Sequence, residues 1–214
     1  MTDLPPSPLA LHLDGAALRA NWAWLASQSG AACGAVIKAN GYGLGARRVL
    51  DELKAAGCRD FFVATWAEAA EVLPHLGDAA LSVFHGVRAA DMAFALGTPA
   101  RPVLNSPEQI ARWKAAGGGP CDVMIDTGMN RLGLAADALT PELFEGLEIV
   151  TLLSHLACSD EPEHPLNVAQ LARFRQLAGT IGARRLSLAN SAGILLGEAY
   201  HFDLLRPGLA LYGG

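Results

Sequence analysis

The stretch Ala35-Val36-Ile37-Lys38-Ala39-Asn40-Gly41-Tyr42-Gly43-Leu44-Gly45 puts a lysine where an apolar segment ends. The three apolar residues before the lysine predict a buried strand that carries Lys38 at its carboxyl end. The glycines that follow predict a loop before a helix at 46–56. A neutral lysine amine can condense with an aldehyde, although a lysine at a strand end is more often a solvated loop charge. The rest of the sequence decides between these two interpretations.

The composition indicates one barrel-sized domain or two small ones. The chain has 214 residues, of which 51% are hydrophobic and 17% are charged, which suits a large buried core. A net charge of −5 without a basic stripe argues against nucleic acid or an anionic membrane as a partner. No apolar run reaches the ~20 residues of a membrane span, and residues 1–6 do not begin like a secretory signal.

The cysteines predict a reduced, cytoplasmic protein. They stand far apart, at Cys33, Cys58, Cys121 and Cys158. Because none has a partner at the spacing typical of a metal ligand pair, we expect small core residues and not a zinc site or a disulfide framework.

Apolar segments alternate with helical ones along the chain. The predicted strands are 33–38, 60–65, 81–85, 102–104, 122–126, 148–155, 185–190 and 202–206. The predicted helices are 14–29, with Asp14 as N-cap, 46–56, 66–75, 89–96, 107–116, 138–145, 165–181 and 192–199. Eight strands alternating with helices predict a closed parallel (β/α)8 barrel of the TIM type, near the ~200-residue lower limit of that fold. An open doubly wound sheet stays possible, although no G-x-G-x-x-G follows any strand.

The carboxyl ends of the predicted strands carry the polar and basic side chains, and catalysis in a barrel takes place at that end. The candidates there are Lys38, Arg131, His155, Asn190, Ser191, Arg206 and Gly208. A serine and a glycine at helix starts after strands seven and eight predict a phosphate site. A phosphate site and an amine on one rim suit pyridoxal phosphate.

Five segments resemble the alanine racemases. They are 35–45, Asp126-Thr127-Gly128-Met129-Asn130-Arg131-Leu132-Gly133, 154–157, 189–193 and 205–213. The resemblance implies a barrel that binds pyridoxal 5'-phosphate and interconverts L-alanine and D-alanine. It also implies a cytoplasmic homodimer that supplies D-alanine for cell-wall peptidoglycan.

The resemblance also implies residue roles. Lys38 would hold the cofactor covalently and move the α-proton on one face, while Arg131 would contact the cofactor's phenolic oxygen and the substrate carboxylate. His155 would pack against the ring, and Arg206 would face the pyridine nitrogen, which should stay unprotonated because a guanidinium keeps its proton. Other expected cofactor contacts are Tyr42, Asn190, Ser191, Gly208, Leu209 and Tyr212.

Two positions depart from the family pattern. Met124 stands where many racemases have a lysine that supports the loop arginine, so Arg131 needs another support. Ser187 stands where a histidine is common, so the hydrogen bonds behind Arg206 are expected to differ.

The resemblance further implies that racemisation uses a second acid/base, a tyrosine of a C-terminal β domain from the partner subunit. Racemisation needs a group on each face of the carbanion. We therefore expect the sequence 1–214 to contain the barrel domain, 15–214, and to be impaired in turnover. We expect residues 9–14 to form a strand, within a segment 1–14, that pairs with the β domain.

Other functions remain open. A single-domain barrel that carries pyridoxal phosphate has this size, and a barrel amino-acid decarboxylase shares a similar K-A-N core. A phosphosugar barrel would explain the phosphate site but not Lys38, unless it is an aldolase. Serine as substrate also stays open, and His85 is a weaker candidate for the mouth of the site.

Overall fold

Short parallel strands and longer helices alternate through the computed structural model, which describes residues 11–214. The strands are β1 (Ala32–Cys33), β2 (Ala35–Val36), β3 (Asp60–Val63), β4 (Ala80–Val83), β5 (Arg101–Leu104), β6 (Cys121–Met124), β7 (Ile149–Leu153), β8 (Arg185–Ser187) and β9 (Leu204–Leu205). β1 and β2 are two halves of one predicted strand, separated at Gly34. All eight predicted strand positions are confirmed, most of them shorter than predicted.

The strands close into a ring. β2 to β8 form a parallel sheet in sequence order, and β1 pairs with β9. On the other side of β9, the N–H of Asp203 donates to the carbonyl of Leu186 and the N–H of Arg206 donates to the carbonyl of Ala189, each at 3.0 Å. Backbone hydrogen bonds therefore run round the whole circle, which confirms the predicted (β/α)8 barrel.

Except for the first, which precedes β1, the helices lie between successive strands. They are α1 (Gly15–Ser27), α2 (Lys38–Tyr42), α3 (Ala46–Ala56), α4 (Trp66–Leu76), α5 (Met92–Leu96), α6 (Pro107–Ala115), α7 (Pro141–Phe144), α8 (Pro165–Ala178) and α9 (Ser191–Leu195), with 3-10 turns at Ala89–Asp91, Ala136–Ala138, Glu198–Tyr200 and Leu209–Tyr212. As predicted, the Asp14 carboxylate caps α1, accepting from the N–H of Ala17 at 2.9 Å. The helix predicted at 192–199 is too long, because Gly197, at φ 108°, separates α9 from a 3-10 turn.

Three predicted helix ends also differ. Proline begins α7 at Pro141, three residues later than predicted, and Gly146 at φ 76° follows its end. α8 ends at Ala178 and α1 at Ser27, one turn or less before the predicted ends. Of the strand expected at 9–14, residues 9 and 10 lie outside the described residues and 11–14 contain no strand.

The barrel interior is apolar in its middle and polar at its amino-terminal end. The middle cluster is formed by Val36, Phe62, Val103, Met124, Leu153 and Leu204. Below it, Asp122 is fully buried and bound by Arg101 at 3.3 Å, and Arg185 pairs with Asp60 at 2.7 Å. This polar layer, defined as Asp60, Ser82, Arg101, Asp122 and Arg185, fills the end opposite the strand carboxyl ends.

A larger apolar cluster packs the helices onto the outer faces of the strands. Within 11–214, no helix combines the length and apolar character that crossing a bilayer requires.

Candidate active site

A cavity of about 650 Å³ opens at the carboxyl ends of the strands. The expected residues that line it are Lys38, Tyr42, Arg131, His155, Asn190, Ser191, Arg206, Gly208 and Leu209. His85, a weaker candidate from sequence, also lines it. The barrel thus brings side chains from six separate segments to one cavity.

Lys38 stands at the start of a left-handed turn. The next three residues have φ of 52–63° and ψ of 43–49°, and Tyr42 has φ 54°. This conformation costs about 1–2 kcal/mol for a residue with a Cβ, so the turn depends on contacts from outside it. The Asn40 side chain accepts from the N–H of Ala46 at 2.8 Å, and the Glu68 carboxylate accepts from the N–H of Ala39 at 2.8 Å.

Tyr42, Ser191 and Gly208 form a small polar cradle on one side of the cavity. The Ser191 hydroxyl accepts from the N–H groups of Gly208 at 2.9 Å and Ala210 at 3.1 Å. A Cβ at position 208 would collide with the Tyr42 hydroxyl, so glycine is what permits this close approach. Ser191 and Leu209 each begin a helical segment, an arrangement that favours an anion.

Tyr212 lies behind the cradle. Its ring stacks on Tyr42 with centroids 4.5 Å apart, and its hydroxyl donates to the carbonyl of Val36 at 2.9 Å. It is not among the described residues that line the cavity. The structure therefore places Tyr212 behind Tyr42 as a support, with its hydroxyl bound to Val36, whereas the sequence predicted a cofactor contact.

Arg206 is 2% exposed and reaches the cavity from β9. Its Nε donates to the Ser187 hydroxyl at 2.8 Å, and that hydroxyl donates to the carbonyl of Leu204 at 2.5 Å. Nη2 donates to the carbonyl of Ser154. Ser187 thus supports Arg206 directly.

Burial lowers the pKa of Arg206 to about 10, so the guanidinium still carries its charge at neutral pH. Among the described residues, no acceptor binds its Nη1. That nitrogen remains for a ligand in the cavity.

His155 lies among three cations. Burial, and after it the charges of Arg206, Arg131 and Lys38, together lower its pKa to about 3. The imidazole is therefore neutral at physiological pH. Of the side chains that line the cavity, the one carboxylate in the described part of the chain is Asp160, at the exposed rim. The cavity consequently favours an anionic ligand.

Arg131 is exposed on the loop after β6. The Asp126 carboxylate holds this loop by accepting from the N–H groups of Gly128 at 2.8 Å and Met129 at 2.9 Å. Met124 lies in the cavity wall and offers no hydrogen-bonding group to Arg131. Within residues 11–214, the Arg131 guanidinium has no ion-pair partner, so the described residues do not supply the other support that the departure at Met124 calls for.

Two positioning residues were missed from sequence. Gln170, fully buried on α8, donates from Nε2 to Thr127 at 3.0 Å and to the carbonyl of His155 at 2.9 Å, and so joins the two loops. No sequence signal identifies it, because its partners are 15 and 43 residues away. Glu68 had a signal, since Thr65-x-x-Glu68 has the spacing of a capping box.

The cavity can hold an aromatic aldehyde that carries a phosphate. The cradle and the two helix starts suit the phosphate, Lys38 offers an amine, and the Nη1 of Arg206 offers a donor to a ring nitrogen. The described residues contain no cluster of three or more His, Cys, Asp or Glu side chains that could hold a metal ion.

Known proteins match both the sequence and the fold. The profile described as "Alanine racemase, N-terminal domain" matches residues 13–214. An alanine racemase of Rhodospirillum rubrum is 46% identical over 217 residues, covering 95% of this chain and 58% of that protein. One of Dinoroseobacter shibae is 47% identical, covering 95% and 60%. The chain therefore spans less than two thirds of the length of these relatives.

Solved structures agree. The alanine racemase of Bartonella henselae, which has covalently bound pyridoxal phosphate, superposes with a TM-score of 0.88 at 38% identity, covering 94% of this chain and 62% of that one. The biosynthetic alanine racemase of Pseudomonas aeruginosa gives 0.86 at 37% identity, covering 93% and 58%. This chain belongs to the alanine racemase family, as a member of its N-terminal domain.

Proposed function

We propose that the chain is the barrel part of an alanine racemase and binds pyridoxal 5'-phosphate covalently through Lys38. The observation that carries this proposal is the meeting of the Lys38 amine, the phosphate cradle and the buried Arg206 in one cavity. When bound, the cofactor supplies an electron sink for the α-carbanion of an amino acid. The names of the relatives support alanine as the substrate.

Each residue of the site has a separate proposed role. With the cofactor present, Lys38 would hold its aldehyde, and once the substrate amine has taken that place the free lysine amine would take and return the α-proton on its own face. Arg131 holds the substrate carboxylate, and neutral His155 packs against the cofactor ring. Arg206 keeps its proton and would offer Nη1 to the ring nitrogen, which would then stay unprotonated.

We infer that residues 1–214 alone racemise slowly. Racemisation needs an acid/base on each face, and Tyr42, the tyrosine that lines the cavity in the described residues, belongs to the phosphate cradle. The second base is proposed to come from the C-terminal domain of a partner subunit in a homodimer. We also propose that the protein works in the cytoplasm and that it supplies D-alanine for peptidoglycan.

The first test is an absorbance spectrum with pyridoxal phosphate. We expect wild-type protein and the Lys114→Ala control, which removes an exposed lysine, to develop a visible band that borohydride removes. Lys38→Ala should lack the band. The same spectrum from wild type and Lys38→Ala would contradict the role of Lys38.

A carrier of pyridoxal phosphate is the alternative function, since the cavity alone would serve to bind the cofactor. Exchange of the alanine α-proton in heavy water separates the two. A barrel with one base should exchange the α-proton of one enantiomer faster than that of the other and form little of the opposite enantiomer. A carrier should exchange neither, and racemisation at ordinary enzyme rates would contradict the inferred impairment.

A further inference from the structure

The Glu68 carboxylate joins two strand ends at the cavity. Its Oε1 accepts from the N–H of Ala39 at 2.8 Å, which is the peptide directly after Lys38. Its Oε2 accepts from the N–H groups of Ala64 at 2.6 Å and Thr65 at 3.3 Å, after β3. Lys38, Ala64 and Thr65 all line the cavity. One side chain on α4 therefore holds the backbone at the carboxyl ends of two neighbouring strands, β2 and β3.

One part of this arrangement is ordinary helix capping. The Thr65 hydroxyl accepts from the N–H of Glu68 at 3.3 Å, and the Glu68 carboxylate accepts from the N–H of Thr65, which is a capping box. The bond to Ala39 has no place in a capping box, because Ala39 belongs to another element 29 residues away. The two oxygens thus serve two purposes.

The bond to Ala39 holds the point where the left-handed turn begins. Ala39 has φ 52° and ψ 47°, a conformation that its Cβ disfavours. A right-handed path after Ile37 would send Lys38 and Tyr42 in other directions. A charge-assisted hydrogen bond to the first left-handed residue opposes that change.

We propose that Glu68 is a positioning residue for Lys38, which holds the amine at the place where a ligand aldehyde arrives. The inference rests on the proposed function. It assigns Glu68 no contact with cofactor or substrate. Its effect should fall on bond formation with Lys38 and not on binding of the phosphate and ring.

The variants separate the two purposes of the carboxylate. In Glu68→Gln the amide oxygen can still accept from Ala64 and Thr65, but the NH2 group then faces the N–H of Ala39. Glu68→Asp keeps the charge and shortens the reach by one methylene, and it serves if the amide variant folds poorly. Glu71→Gln is the matched control, because it changes the same charge on the exposed side of α4.

The first readout needs no cofactor. Amide hydrogen exchange at Ala39 should be about tenfold faster in Glu68→Gln than in wild type, because a charge-assisted hydrogen bond is lost. Glu71→Gln should exchange like wild type. Unchanged exchange at Ala39 in a folded Glu68→Gln protein would overturn the proposal.

The second readout compares two ligands. Pyridoxal phosphate can bond to Lys38, whereas pyridoxamine phosphate has the same ring and phosphate but no aldehyde. We expect Glu68→Gln to weaken binding of pyridoxal phosphate about tenfold and binding of pyridoxamine phosphate by less than about twofold. Equal weakening of both, or of neither, would overturn the positioning role. If wild type itself forms no adduct, the proposed function has failed; if wild type and variant form it equally well, only the positioning role has failed.

Discussion

His155 makes a residue-scale prediction about pH. Its pKa is about 3 in the folded protein against an ordinary value of 6.5, so below pH 6.5 the unfolded chain binds the extra proton. The stability that depends on the neutral imidazole is complete above pH 6.5 and is lost as pH falls toward 3. The slope from this one group is at most about 1.4 kcal/mol per pH unit.

Denaturant unfolding of wild type and His155→Asn, between pH 7 and pH 4, checks this expectation. The free energy of unfolding should fall more steeply with acidification in wild type than in the variant. Parallel curves would show that the imidazole is not held neutral by its surroundings.

Gly208 makes a second residue-scale prediction. Alanine at this position would collide with the Tyr42 hydroxyl, so Gly208→Ala should displace that ring and weaken binding of pyridoxamine phosphate about tenfold. In a Tyr42→Phe background the hydroxyl is gone and the ring carbon Cζ lies 3.3 Å from the added Cβ, so the same substitution should cost less affinity. Equal losses in both backgrounds, measured by calorimetry, would argue against the collision as the cause.

At the scale of elements, the left-handed turn predicts that replacing alanine by glycine raises the free energy of unfolding in the turn but lowers it inside a helix. Ala39→Gly should raise the free energy of unfolding by up to about 1 kcal/mol, because glycine adopts this conformation without steric strain. Ala70→Gly, at an exposed position inside α4, should lower it by about 0.5–1 kcal/mol. Urea unfolding of both variants is the measurement, and a loss in both would mean that the turn is not strained at Ala39.

The elements themselves were predictable because their patterns are local. Apolar runs locate every strand, and Asp14 and Pro107 begin helices where capping rules put them. The turn after Lys38 was predicted only as a loop. Its left-handed form depends on Glu68, which lies on another helix, and no local pattern contains that contact.

At the scale of the whole molecule, the polar layer should contribute strongly to stability. Asp122 is fully buried and accepts from Arg101, Ser82 and the N–H of Thr151. Asp122→Ala would leave a largely buried guanidinium without its partner, and we expect a loss of about 3–5 kcal/mol.

The matched control is Glu148→Ala, which breaks the ion pair with Arg184. Those side chains are 47% and 67% exposed, so the loss should be about 0–1 kcal/mol. Thermal unfolding of the two variants measures both effects. Similar losses would mean that burial does not set the strength of these ion pairs.

The site was predictable because a parallel barrel gathers all strand carboxyl ends on one face. That rule places Lys38, His155 and Arg206 together although they are far apart in sequence. It cannot predict whether a side chain lines the cavity or lies behind the residues that do. Tyr212 supports Tyr42 from behind, and Ser187 bonds to Arg206, because of packing distances that exist only after the ring has closed.

The closure between β1 and β9 has a consequence for the growing chain. Ala32 pairs with Leu204, so the strand that carries the lysine is made early and its neighbour is made near the end of these 214 residues. At usual rates of synthesis the ribosome needs roughly 10–30 s to make the chain between Ala32 and Leu204. During this time the nascent lysine strand has one unpaired edge, which nothing in the barrel can cover until β9 leaves the exit tunnel.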